Sequence, residues 1–143
     1  MAVVLITGGN SGFGLAGVRA FASNNDQVIA TVRNENRKVE LLECLDSENL
    51  AADIKLLELS ETSVFSTLVS EIVEQYGRID VLINNAGILI PGACEDLDES
   101  SIRSVMETNF FAPMFLSRCV LPTMRAQGCG LIIMVSSLSG VAG

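Results

Sequence analysis

A doubly wound α/β sheet, with helices on both faces of parallel strands, is the fold this sequence predicts. Two observations carry that prediction. Short, nearly all-apolar strand patterns alternate with helical patterns along the whole chain, and strands of that kind are covered on both faces by crossover helices. The first strand also breaks into a glycine-rich turn that opens directly into a helix, over residues 2–14. Glycines let backbone approach a ligand closely, and the helix that follows aims free N–H groups at an anion. A length of 143 residues suits one domain with a real core.

The elements follow in order. Val3, Val4, Leu5 and Ile6 mark a buried strand over 2–7, and Leu15, Val18 and Ala22 give helical spacing over 13–24. Further strands are expected over 27–32, 53–59, 80–84 and 130–136, and further helices over 36–46, 62–76 and 99–127. Asn24-Asn25-Asp26 and Tyr76-Gly77-Arg78 read as helix stops, and Asp98 or Ser100 as the cap of the last helix. Pro113 lies inside that helix and should kink or break it. There is no internal repeat, low-complexity tract or interdomain linker.

Bulk properties exclude several classes of function. The net charge is −8 without a dense Lys/Arg cluster, which argues against nucleic acid or an anionic membrane surface as partner. The apolar run Leu131 to Val135 is far too short to cross a bilayer, and the start at Met1 reads as a strand, not a signal peptide. Cys44, Cys94, Cys119 and Cys129 form no C-x-x-C pair, and histidine is absent. No metal site or disulfide framework is expected, reduced thiols point to the cytoplasm, and Ser-His or Cys-His nucleophiles are ruled out.

The glycine turn has the spacing Gly8-x-x-x-Gly12-x-Gly14. No Lys-Ser or Lys-Thr pair follows, so it is not an ATP-type phosphate loop, and it differs from the standard G-x-G-x-x-G. Taken alone, such a turn can also serve only a tight bend. Three further patches accompany it. Asn84-Asn85-Ala86-Gly87 follows the fourth strand, Thr108-Asn109-Phe110 lies in the long helix, and Ser136-Ser137-Leu138-Ser139-Gly140 follows the fifth strand.

With Thr7 and the glycine turn, these patches resemble the short-chain dehydrogenase/reductase family in type, order and spacing across the whole chain. The resemblance implies a Rossmann-like domain over residues 1–143 that binds a nicotinamide dinucleotide, incomplete because the chain stops after about the fifth strand. It implies cofactor contacts from Thr7, Gly8, Asn10, Ser11, Gly12, Phe13 and Gly14 and from Asn85, Ala86 and Gly87. The Thr7 hydroxyl is expected to tie the first strand to the backbone around 84–87. Glu58-Leu59 falls where the family has an acidic-apolar pair beside the adenine ring, or is a plain strand end.

Arg33, where an acid would hold both ribose hydroxyls, favours NADP(H) over NAD(H), because a guanidinium pairs with a 2′-phosphate. It also reads as an ordinary solvated arginine, and Ser11 supplies no second cation in the turn. Ser137 matches the serine that polarises a substrate carbonyl or alcohol, with Ser136 its inward-packing neighbour, and Asn109 matches the asparagine that helps position a lysine.

One departure matters. The family's Y-x-x-x-K should follow Ser137 on the next helix, and the 143 residues do not contain it. Tyr76 is the only tyrosine, and Lys38 and Lys55 are the only lysines. Two functional expectations remain open. The first is an oxidoreductase of carbonyl or alcohol substrates in truncated form. The second is a catalytically inactive dinucleotide-binding or interaction protein. Truncation also leaves an apolar sheet edge at Leu131 to Val135. The long helix carries Val105, Met106, Phe110, Phe111, Met114, Phe115 and Leu116, enough apolar surface for two faces, so self-association through both is expected.

Overall fold

The computed structural model describes residues 1–137. Along the chain come β1 (Val3–Thr7), α1 (Gly12–Ser23), β2 (Gln27–Val32), α2 (Glu35–Ser47), β3 (Asp53–Leu56), α3 (Phe65–Tyr76), β4 (Val81–Asn84), α4 (Glu99–Met106), α5 (Ala112–Gln127) and β5 (Leu131–Met134). The strands form one sheet in the order β3-β2-β1-β4-β5, every pair parallel. This is the expected Rossmann-like, doubly wound α/β architecture.

Strand periodicity divides the core between the two faces. Val4 and Ile6 of β1 join Val18 of α1 and Leu41 and Leu45 of α2. Val3 and Leu5 point the other way, into a cluster with Phe65 and Ile72 of α3 and Leu116 and Val120 of α5. Being central, β1 is buried along its whole length. Its start is pinned by carboxylates: the Ala2 N–H donates to Asp26 Oδ1 at 2.7 Å and the Val3 N–H to Asp80 Oδ2 at 2.8 Å. Burial pushes the Asp80 carboxyl up, but hydrogen bonds from Arg78 and from the Val3 N–H outweigh it and hold the group below its ordinary range.

Local signals explain the boundaries. Asn34 caps α2 by accepting from the Arg37 N–H, and Asp98, not Ser100, caps α4 by accepting from the Ser101 N–H. Gly77 ends α3 in the left-handed region. Two expectations need correction. The third strand ends at Leu56 instead of 59. Its partner β2 stops at Val32, and after the Leu57 N–H bond to the Val32 carbonyl nothing remains to pair with.

The helix expected over 99–127 is two helices joined by a π turn, Glu107–Phe111, closed by the Ala112 N–H on the Glu107 carbonyl. Pro113 has no N–H for the preceding turn, and the register slip that accommodates it falls ahead of the proline. Of the apolar residues expected there, Leu116 is buried and Phe115 packs on the core, whereas Met106, Phe110 and Met114 are exposed. Leu131, Ile133 and Met134 of β5 are exposed as well. No helix among the described residues is long and apolar enough to cross a membrane.

The far end of β1 is tied as its sequence suggests. Thr7 Oγ1 accepts from the Asn85 N–H at 3.0 Å and the Ala86 N–H at 3.1 Å, and donates toward the Ile83 carbonyl at 3.5 Å. The hydroxyl thus stitches β1 to the exit of β4. Thr7→Val keeps the shape and leaves both N–H groups without a partner, which should cost about 1–3 kcal/mol. Urea unfolding should show a lower midpoint with an unchanged slope; an unchanged midpoint would remove this tie from the account.

Candidate functional site

From β1 the chain builds outward through β2 and β3 on one side and through β4 and β5 on the other. Helices that follow the two central strands therefore turn in opposite directions. A crevice opens at the carboxyl ends of β1 and β4, the place where doubly wound sheets hold ligands.

Glycines let the crevice close up at its base. Gly8 has φ +68°, and a Cβ there would lie 3.0 Å from Ala86 Cα. A Cβ on Gly14 would lie 2.1 Å from the Gly8 carbonyl oxygen and 2.5 Å from Asn85 Nδ2. Asn85 Nδ2 in turn donates to the Thr7 and Gly8 carbonyls at 3.0 and 3.2 Å. Turn, helix start and β4 exit form one packed unit.

The N-terminus of α1 is left open. Ser11 makes no side-chain cap there and the first turn holds no acid. By contrast α2 and α4 are closed by Asn34 and Asp98 and carry Glu35 and Glu99 in their first turns. The first N–H groups of α1 and the positive end of its dipole thus stay available to an anion.

These N–H groups border a cleft of about 350 Å³, within the usual size range of small-molecule sites. The glycine turn contributes Gly8, Asn10, Ser11, Gly12 and Phe13 to its wall. Arg33 comes from the end of β2, Glu58 and Leu59 from beyond β3, and Asn85, Ala86 and Gly87 from beyond β4. Thr7 and Gly14 stand behind this wall, buried, and shape it without lining it.

Thr31, Val32, Leu57, Ile88 and Thr108 line the cleft too and were not expected from the sequence to touch cofactor. Their signal was position alone, next to Arg33, Glu58, Gly87 and Asn109. At the outer end the Arg33 Nε donates to Glu58 Oε2 at 2.9 Å. Burial raises the Glu58 carboxyl, but hydrogen bonds from Arg33 and Ser60 prevail and hold it below its ordinary range.

Phe13 also borders a second, larger cleft of about 970 Å³ between the loop after β4, α5 and the end of β5. Asn109, Ser136 and Ser137 line it, so the two candidate catalytic residues share one compartment, separated from the first by the glycine turn and the loop after β4. The buried Asn84–Ser117 pair, hydrogen-bonded at 3.2 Å, and Arg118 line it as well; Asn84 belongs to the patch after the fourth strand, whereas Ser117 and Arg118 escaped the sequence reading.

Asn109 lies in the π turn, where its amide grips one residue on the facing loop. Its Oδ1 accepts from the Ile88 N–H at 2.9 Å and its Nδ2 donates to the Ile88 carbonyl at 2.8 Å. This pair fixes the loop between the clefts. Ser136 is exposed, not packed inward as expected, because it follows the edge strand, beyond which no further strand pairs among the described residues. Leu138, Ser139 and Gly140 of the same patch lie outside the described residues. No group of three or more His, Cys, Asp or Glu among the described residues is arranged to hold a metal.

The family profile described as short chain dehydrogenase matches residues 2–143. Dehydrogenase/reductase SDR family member 7B of Danio rerio is 36% identical over 144 residues, which cover 96% of this chain and 47% of that protein. The chain spans about half the length of the curated relatives it matches. Among solved structures, a metagenomic short-chain oxidoreductase in complex with NADP superposes with a TM-score of 0.89 at 28% identity, over 97% of this chain and 63% of that one. An actinorhodin polyketide ketoreductase variant with NADPH superposes with a TM-score of 0.92 at 31% identity, over 99% and 55%.

The glycine contacts carry a stability prediction. Gly14→Ala forces a Cβ into the Gly8 backbone and should cost about 3 kcal/mol. Gly17→Ala, one turn further along α1, meets only Ile6 Cδ1 at 3.6 Å and should gain about 0.4–1 kcal/mol from helix propensity. Thermal unfolding of the two variants reads both; equal shifts would show that the Gly14 contact does not constrain the turn.

Proposed function

The chain belongs to the short-chain dehydrogenase family, and from that premise we propose that it is the cofactor-holding part of an NADP(H)-linked oxidoreductase of carbonyl or alcohol substrates. One observation carries the reading. The open N-terminus of α1, the tight glycine base and the residues expected to touch cofactor, Thr7 and Gly14 excepted, converge on one cleft at the β1/β4 switch point. A dinucleotide fits the donor set. The N–H groups of the turn suit a pyrophosphate, Leu59 and Ile88 give apolar wall, and Arg33 suits a 2′-phosphate. In this reading residues 1–143 act as one Rossmann domain, in the cytoplasm.

When bound, a nicotinamide group supplies or accepts hydride. This chain's own residues would do the rest. Gly8, Asn10, Ser11, Gly12 and Phe13, with Asn85, Ala86 and Gly87, hold and orient the dinucleotide, Gly14 lets the turn close beneath them, and Thr7 keeps β1 and the β4 exit in register. Ser137, on the second cleft, donates a hydrogen bond to the substrate oxygen. Asn109 holds the loop between the clefts through Ile88.

Proton transfer is the missing function. Tyr76 closes α3 and hydrogen-bonds Asp53 at the amino end of β3, opposite the clefts. Burial and then Asp53 push its phenol up, away from neutrality. Lys55 pairs with Asp53 and Glu71 in the same region. We therefore propose binding without turnover for the 143-residue chain, since general acid catalysis is worth about 10²–10⁴-fold. Fluorescence titration should show NADPH bound more tightly than NADH. With a panel of aldehydes and ketones the same preparation should show no steady NADPH oxidation. Tighter NADH binding would reject the cofactor preference, and oxidation abolished by Ser137→Ala would reject the inactive reading.

Self-association belongs to the same proposal, supported by the exposed Phe110, Met114, Leu131 and Met134. Sedimentation velocity should show a species heavier than 15.2 kDa that grows with concentration; a monomer throughout would reject it.

A further inference from the structure

We propose that Glu58 sets how sharply the first cleft distinguishes a 2′-phosphorylated dinucleotide from the unphosphorylated form, by neutralising Arg33. The inference rests on the cofactor reading above and adds to it the residue that tunes specificity. Arg33 is the only cation among the described residues lining the cleft, and Glu58 the only anion. Ser11, in the glycine turn, brings no further positive charge. The formal charge of the cleft wall is therefore zero, although its one arginine suits a phosphate.

The geometry shows why the carboxylate stays beside the guanidinium. Glu58 Oε1 accepts from the Ser60 hydroxyl at 3.2 Å and from the Ser60 N–H at 3.4 Å, which turns Oε2 toward Arg33. Arg33 answers with Nε alone, at 2.9 Å. Its two terminal amino groups have no partner among the described residues. They can meet an incoming phosphate while Glu58 remains in place.

Two effects of opposite sign compete. Glu58 can hold the arginine ready for a phosphate, or its charge can oppose the phosphate that the arginine attracts. The contact is one hydrogen bond to a side chain 72% exposed, so it restrains the guanidinium little. The negative charge, in contrast, persists whatever rotamer Arg33 adopts, and it meets the phosphate but no charge on an unphosphorylated ribose. Repulsion decides. Exposed ion pairs are weak, so the effect is modest, on the order of three- to fivefold.

Titration of the 143-residue chain and of Glu58→Gln with NADPH and with NADH, followed by cofactor fluorescence, tests this. Glu58→Gln should raise the ratio of the NADH Kd to the NADPH Kd about three- to fivefold. Adding Arg33→Gln to that variant should abolish the gain. Should Gln disturb folding, seen as a lost far-ultraviolet helical signal, Glu58→Ser must shift the ratio in the same direction. An unchanged or smaller NADPH-to-NADH preference overturns the inference and leaves the cofactor reading standing. Failure of the unsubstituted chain to bind either dinucleotide overturns that reading, and the inference with it.

Discussion

Close approach of the β1 exit to the β4 exit is the constraint on which the rest of this structure depends. The helix that starts at Gly12 can lie against the turn only if Gly14 has no side chain, because the Gly8 carbonyl occupies that place. The Thr7 hydroxyl and the Asn85 amide then fasten the turn to the opposite strand through a small set of bonds. A cleft exists because this junction is tight at its base and open above. The stability of the junction and the shape of the cleft are thus one problem, solved by residues that mostly do not line the cleft themselves.

Much of this was readable from the residues. All-apolar strands alternating with helical spacing gave the doubly wound sheet, and the Thr7 tie followed from a hydroxyl at a strand end facing a small-residue turn. Charge and side-chain contacts were less legible. That Arg33 is paired with Glu58, 25 residues away, depends on β2 and β3 ending side by side, which spacing alone does not state. The bonds between Asn109 and Ile88 were hidden for a similar reason, since a π turn shifts the register of the helix that carries the asparagine. The early end of β3 was set by its partner strand and not by its own apolar pattern.

The two clefts divide the chemistry. One combines backbone donors with a single compensated arginine and suits a long anionic ligand. The other is mostly apolar with hydroxyls at its margin, where Ser137 sits. Phe13 and the loop after β4 separate them, and the grip of Asn109 on Ile88 keeps that loop in position. An arrangement of this kind can hold a ligand across both clefts. Tyr76 belongs to neither cleft and lies at the other end of the sheet, hydrogen-bonded to Asp53.

The central claim is that the cleft at the β1/β4 switch point holds a dinucleotide. Amide hydrogen exchange with and without NADPH tests it most directly. Slowed exchange is expected at 8–15, 31–34, 57–60 and 84–88, with α3 and the first turns of α2 past Arg37 unchanged. Slowing confined to α5 and β5, or the absence of any difference at saturating NADPH, would contradict the account.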